Sequence, residues 1–318
     1  MQAQAQPTEE PAAPPSSRVS DDAQAGVTET PTPALDELLE TTRRSVRSTA
    51  EWLARAVDSR FGDKSFDDGG KVSNGRADLI LHKRQGEARD FDLRFNASFR
   101  LPNLQKRVDV FVGNDDQRDV VTDNPESMSQ QQRLLESRPT ERSFFAGVKI
   151  PMLDSFEFRL GVHGGVKPFA QASYDRSWQA TDADVFEFRE TLFWTLDDHF
   201  GSTTVGSYAH AISPTLVARW LNSATITQTT NRFEWNSVLG AYQTFGEQRV
   251  LALEALLNGA QGTGVRVSDY GVQTRWEQPV YQSWLLGEVG VGHFWPRKDA
   301  VNERGRAWAV GAALKMKF

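Results

Sequence analysis

From Phe91 to Leu101 the chain alternates without a break. Phe91, Leu93, Phe95, Ala97, Phe99 and Leu101 occupy one set of positions and Asp92, Arg94, Asn96, Ser98 and Arg100 the other. Successive side chains of a strand point to opposite faces, so this period of two gives one apolar and one polar face. The pattern recurs at Phe156, Phe158, Leu160 and Val162 against Glu157, Arg159, Gly161 and His163, and at Tyr270, Val272, Thr274 and Trp276 against Asp269, Gly271, Gln273, Arg275 and Glu277. From Gly75 onward the period stays at two. Further strands are expected near 76–83, 107–114, 141–150, 168–178, 185–196, 201–212, 215–228, 232–244, 248–258, 281–295 and 305–318, fourteen in all, with twelve as the alternative count if pairs near 160–180 merge. An all-β fold follows.

Strand length separates two kinds of all-β protein. Strands of soluble sheets average about five or six residues, whereas several here alternate over ten or more, as a tilted membrane crossing of about 9–11 residues requires. A mean hydropathy of −0.51 and 25% charged residues do not oppose this, because only alternate residues of such strands meet lipid. No run of 18 apolar residues offers a helical span. Trp178, Trp194, Trp220, Trp235, Trp276, Trp284, Trp295 and Trp308 fall in the strands, many near their ends, where interfacial girdles lie. Two positions dissent: Glu190 shares a face with Phe186, Phe188, Leu192 and Trp194, and Arg176 with Tyr174 and Trp178. Each implies either an interfacial site or a β-bulge.

The chain closes on Trp308, Val310, Ala312, Leu314, Met316 and Phe318, alternating with Ala309, Gly311, Ala313, Lys315 and Lys317. On this stretch alone a half-buried strand of a soluble sheet is the competing reading. The ending resembles the last strand of Gram-negative outer-membrane β-barrels. That resemblance implies a transmembrane antiparallel up-and-down barrel over 75–318, porin-like or of an uncharacterised barrel family. It also implies contact with outer-membrane lipid and insertion by the barrel-insertion machinery, with Trp308, Val310, Leu314, Met316 and Phe318 as the insertion signal. With both ends in the periplasm, the long connections 116–139 and 296–304 are expected on the external side.

Ahead of the barrel, residues 1–33 form a tail rich in Pro, Ala and Gln, too poor in apolar surface to order itself. It contains no basic segment followed by an apolar one, so a signal peptide is expected to have been removed. Residues 34–61 read as a periplasmic amphipathic helix, with Thr32 as N-cap and Pro33 at its first position. Leu35, Leu39, Val46, Ala50, Leu53 and Val57 form its stripe, opposite Glu37, Glu40, Arg44, Arg47, Glu51 and Arg55. The stripe is expected to pack on the periplasmic mouth or in the lumen as a plug; a periplasmic partner protein and the membrane surface are the alternatives. Residues 62–74 read as a linker, whose acids do not have the spacing of a calcium loop.

The inward face carries Asp92, Arg94, Arg100, Asp109, Glu157, Arg159, Glu187, Arg189, Arg219, Glu254, Arg275 and Glu288 among its charges, with acids and bases nearly balanced. A selective pore usually lines itself with one sign. Balance predicts a salt-bridged lumen, narrow or partly plugged, and inward positions such as 96 and 161 are expected to tolerate charge better than outward 95 and 160. The leading function is a narrow pore or transport-type protein. The alternative is a non-conducting envelope-assembly component whose helix docks a partner. An outer-membrane lipid hydrolase is a third class, but none of His82, His163, His199, His210 and His293 precedes a Ser by two residues, as that family requires. No enzyme activity, metal or cofactor is expected. The absence of cysteine removes thiolate chemistry, and a net charge of −6 argues against nucleic acid as a partner. Oligomeric state is open.

Overall fold

A computed structural model describes residues 33–58, 71–100, 108–123, 128, 131–135, 142–297, 301 and 303–318. The first 32 residues of the predicted tail, residues 59–61 of the predicted helix and residues 62–70 of the predicted linker lie outside the described residues. The described part of helix α1 spans Pro33–Asp58. Fourteen strands follow: β1 Lys71–Arg84, β2 Arg89–Arg100, β3 Asp109–Asp116, β4 Arg142–Leu153, β5 Phe156–His163, β6 Lys167–Gln179, β7 Asp184–Thr195, β8 His199–Ser213, β9 Leu216–Thr227, β10 Phe233–Phe245, β11 Arg249–Ala260, β12 Val267–Tyr281, β13 Leu285–Phe294 and β14 Ala307–Lys317. A short helix α2, Gln117–Thr122, lies between β3 and β4.

Each strand pairs antiparallel with its neighbours, and β14 closes on β1. This is an up-and-down barrel of fourteen strands, which settles the count against twelve. β1 begins at Lys71, inside the segment read as linker, because a register shift between Val72 and Asn74 lets the strand continue beside β2 where simple alternation breaks. The β6–β7 register runs unbroken from Gln179↔Val185 to Phe169↔Thr195. Glu190 and Arg176 therefore face outward without a bulge. The Glu190 carboxylate accepts hydrogen bonds from Ser202 and Thr204, and Arg176 lies 5.6 Å over the Trp178 ring.

Outward positions are apolar and open: Leu81, Leu93, Phe144, Leu192, Leu239, Leu253 and Val289 are all exposed. Inward positions are polar and buried, among them Asp78, Asp92, Gln171, Glu254 and Gln273. This distribution inverts that of a soluble protein, which rarely exposes a contiguous apolar patch beyond about 300–600 Å². Aromatic groups mark both rims. At one, His293 lies 4.5 Å from both Trp295 and Trp308, and Tyr270 stacks on Trp295. At the other, Phe186 stacks on Tyr208, and Phe156 meets Tyr174.

The inner wall contains aromatic residues that a purely polar lumen would not. Phe111, Phe145, Phe169 and Phe193 face inward, each directly across the ladder from a glycine: Gly147, Gly113, Gly161 and Gly201. A Cβ at any of these glycines would stand 2.2–2.7 Å from the facing ring. The rings cover the glycine backbone, a cross-strand device that fixes register.

Candidate functional site

The described residues of the connection between β3 and β4, 117–123, 128 and 131–135, fold into the barrel. Asp116 ends β3 and caps α2, its carboxylate accepting the Arg118 N–H at 2.9 Å. Asp123 then turns the chain in the left-handed region, φ 52°. Inside, Val121 packs on Phe111, Phe145, Phe169 and Phe193. Further along, Met128, Leu134 and Leu135 pack on the inward Val205, Leu221, Val238, Leu256, Phe294 and Ala309. These apolar residues give the reason: as an external loop they would meet water, whereas the lumen supplies apolar partners.

Polar bonds fix the segment around the wall. Gln171 donates to the carbonyls of Val120 and Val121, the first at 2.7 Å. Asp123 accepts from Arg159 at 2.7 Å and from Arg189 at 3.4 Å. Arg118 pairs with Glu234 at 3.1 Å. Gln131 donates to the Tyr242 hydroxyl at 2.6 Å and its carbonyl accepts from Gln273 at 2.9 Å. Arg84 donates to the Leu135 carbonyl and pairs with Asp269 at 2.9 Å. Burial holds the Arg133 guanidinium down to about 10, and the positive charge of Arg94 adds to this against the pull of Glu288, Asp78 and Asp92.

All twelve charged residues read from the sequence as lumen-facing have ion-pair partners. Asp92 pairs with Arg94 at 2.8 Å and Arg100 with Asp109 at 3.4 Å. Glu157 pairs with Arg159 at 2.6 Å, Glu187 with Arg219 at 2.9 Å, and Arg189 with Asp123. Arg275 bridges Glu254 at 2.7 Å and Glu288 at 3.0 Å. The sequence reading missed Asp123, Arg118, Gln131 and Tyr242, three of which lie in the long β3–β4 connection. The available signal was that loop's run of Val120, Val121, Met128, Leu134 and Leu135.

The pairs divide into a dry wall and a wet one. On β11–β14 the side chains of Glu254, Lys315 and Glu288 are 0%, 5% and 9% exposed, and Lys315 joins Glu277 and Glu288 into one network with Arg275. On β6 and β7, Asp175 and Glu187 are each 53% exposed. They line a cavity of about 270 Å³ with Arg189, Ser207 and Arg219. The described residues of the inserted segment are anchored to β5–β7 through Asp123 and the Val120 and Val121 carbonyls and to β1 and β10–β12 through Leu135, Arg118 and Gln131, and the cavity lies beside them along β6–β9.

Other sequence-predicted residues are placed as follows. Trp308, Val310 and Leu314 face outward and exposed; Met316 is buried and Phe318 half-buried, its ring stacked 6.0 Å from Phe95. Leu39 and Val46 of α1 are half-buried, while the side chains of Leu35, Leu53 and Val57 lie outside the described residues. Ala50 of α1 is fully buried against Ala97, Phe99, Val110 and Val112. By ladder parity with exposed Leu93 those four face outward, so this part of the helix packs on the outer wall and not in the lumen. The reason is the apolar face that β2 and β3 present there. His210 bonds Asp184 at 2.8 Å on the outer face, and the same carboxylate accepts from Tyr208 and Thr181.

A closed barrel with an apolar outer belt, two aromatic rims and a charged interior defines an integral β-barrel of the Gram-negative outer-membrane type. No protein-family model and no curated protein sequence matches the chain. Among solved structures it is similar to OprB of Pseudomonas putida, at 9% identity and a TM-score of 0.47, covering 80% of this chain and 95% of that one. It is also similar to an anion-selective porin from Comamonas acidovorans, at 8% identity and 0.44, covering 78% and 100%, and to the KdgM porin, at 8% and 0.36, covering 76% and 99%. Likeness at this level bears on no property of the chain; the class rests on its own closure and belt.

Proposed function

We propose that the protein is a narrow outer-membrane pore whose passage is eccentric. The described residues of the inserted β3–β4 segment cross the lumen between β5–β7 and β10–β12, and small hydrophilic solutes pass beside Asp175, Glu187, Arg189 and Arg219 on β6–β9. The observation that carries this reading is the contrast between the dry network around Glu254 and Arg275 and the water-exposed Asp175, Glu187, Arg189 and Arg219 beside the cavity. Two acids and two bases on the wet wall favour weak ion selectivity and passage of neutral or zwitterionic solutes. The reading is of a transporter and not a hydrolase: Asp184, the acid beside His210, is committed to two hydroxyls as well. Insertion through the terminal strand and Phe318 belongs to the same proposal.

Planar-bilayer recording tests it. Purified, heat-modifiable barrel should give small, discrete conductance steps with modest cation or anion preference. A folded barrel that stays electrically silent and does not admit small sugars in vesicle swelling would instead support the non-conducting scaffold.

A further inference from the structure

The outer face of the barrel is not uniform at the end where β14 finishes, which carries the shorter turns and is periplasmic by that criterion. On the arc β5–β12, the outward residues Phe156, Trp178, Phe186, Ile212, Phe245 and Val280 are exposed there. On β13, β14, β2 and β3, Leu285, Met316, Phe99 and Val110 are buried. These also face outward: Leu285 pairs with Met316, in step with exposed Val289 and Leu314, and Phe99 pairs with Val110, in step with exposed Leu93. Something covers this arc of the belt.

The described element that packs there is α1. Ala50 sits on Ala97, Phe99, Val110 and Val112. Arg43, two turns earlier on the same helical face, lies 5.0 Å over the ring of Trp284 in the β12–β13 turn. Residues 43–50 of the helix therefore run along the outside of the periplasmic rim, level with rim aromatics, where a bilayer's headgroups lie. Residues 41–51 carry Arg43, Arg44 and Arg47 against the single acid Glu51, and Arg44 and Arg47 are exposed.

We propose that this part of α1 is an interfacial anchor, lying in the periplasmic-leaflet headgroup layer and binding anionic phospholipid. Two features select lipid over a protein partner. The surface it lies on belongs to the membrane-facing belt, and its exposed charge is basic, complementary to phosphate. An amphipathic helix in that position keeps its apolar side on the barrel wall and its arginines among headgroups, without crossing the membrane.

The chain has no cysteine, so Ser48→Cys gives a unique spin-label site on the exposed side of α1. The full-length barrel would be folded into vesicles of phosphatidylcholine alone or with phosphatidylglycerol, and label depth read from relaxation by oxygen and by a water-soluble nickel complex. The label is expected at headgroup depth, with severalfold less nickel access in the phosphatidylglycerol vesicles. Arg44→Glu with Arg47→Glu should abolish that difference, and Ala50→Arg should release the helix to water, both with heat-modifiable migration of the barrel unchanged. A label equally accessible to nickel in both vesicles, or one shielded from oxygen and nickel alike as in a lumen or protein contact, would overturn the proposal. Conductance plays no part in the readout, so the result is independent of the pore reading.

Discussion

Arg159 of β5 and Asp123 at the end of α2 meet at 2.7 Å, joining the wall of the barrel to the segment that divides its lumen. Arg189 approaches the same carboxylate from β7 at 3.4 Å, on the side where the cavity lies. Asp123→Ala removes the acid from both arginines and frees one end of the segment. For a partly exposed charged hydrogen bond the local loss is about 1.5–3 kcal/mol, enough to loosen the segment while the fourteen-strand ladder persists. Single-channel recordings should show larger or noisier openings than wild type, with equal yield of folded barrel. Unchanged conductance and noise would mean that Asp123 does not restrain the passage.

The two walls should respond differently to charge. Arg219→Glu places a third acid beside Glu187 and Asp175 on the hydrated side and should move the reversal potential in a KCl gradient toward potassium selectivity. Arg275→Gln, on the dry side, leaves Glu254 and Glu288 without their shared cation. Breaking a buried pair in this way costs roughly 3–5 kcal/mol, so it should lower the temperature of heat modification and leave selectivity nearly unchanged. Equal selectivity shifts from both would remove the eccentric passage.

Gly75 and Phe318 close the barrel together. The Phe318 N–H donates to the Gly75 carbonyl at 3.0 Å, and a Cβ at Gly75 would stand 2.4 Å from the Phe318 ring. Phe318→Ser should reduce the membrane-inserted, heat-modifiable fraction without reducing export. Gly75→Ala displaces the same ring and should give a smaller loss. If neither variant changes the inserted fraction, the terminal ring is dispensable for assembly.

Strands were legible because a lipid-facing wall enforces a strict period of two, and the fourteen segments read from Phe91–Leu101 and its repeats are the fourteen strands of the barrel. Inward charges were legible for the same reason, as at Asp92, Arg94 and Glu254. The inserted segment was not. Val120, Val121, Met128 and Leu134 make their partners with Phe193, Leu221 and Leu256, far away in sequence, and no local periodicity reports such contacts. The side of the barrel on which α1 packs was hidden likewise: Ala50 lies in the helix's apolar stripe, but its partners Phe99 and Val110 are far away in sequence and the helical period does not name them.

Three positions test the facing of the wall most directly. Leu160 is exposed on the outer face, so Leu160→Arg brings a charge to lipid and should cost about 2–4 kcal/mol if the site is near the bilayer midplane. Asn96 faces the open lumen and is exposed, so Asn96→Arg should be nearly neutral. Gly161 also faces inward, and alternation alone gives it the same tolerance as Asn96. The packing does not: a Cβ there would stand 2.7 Å from the Ala146 carbonyl oxygen and 2.7 Å from the Phe169 ring. Gly161→Arg must displace that ring and the register it fixes, so its loss should approach that of Leu160→Arg by a steric route. Denaturant unfolding of the three variants in vesicles should give the order Asn96→Arg mildest, with Gly161→Ala already measurably destabilised. A Gly161→Ala barrel as stable as wild type would show that the Phe169 ring yields freely, and that the glycine facing it does not pin the register.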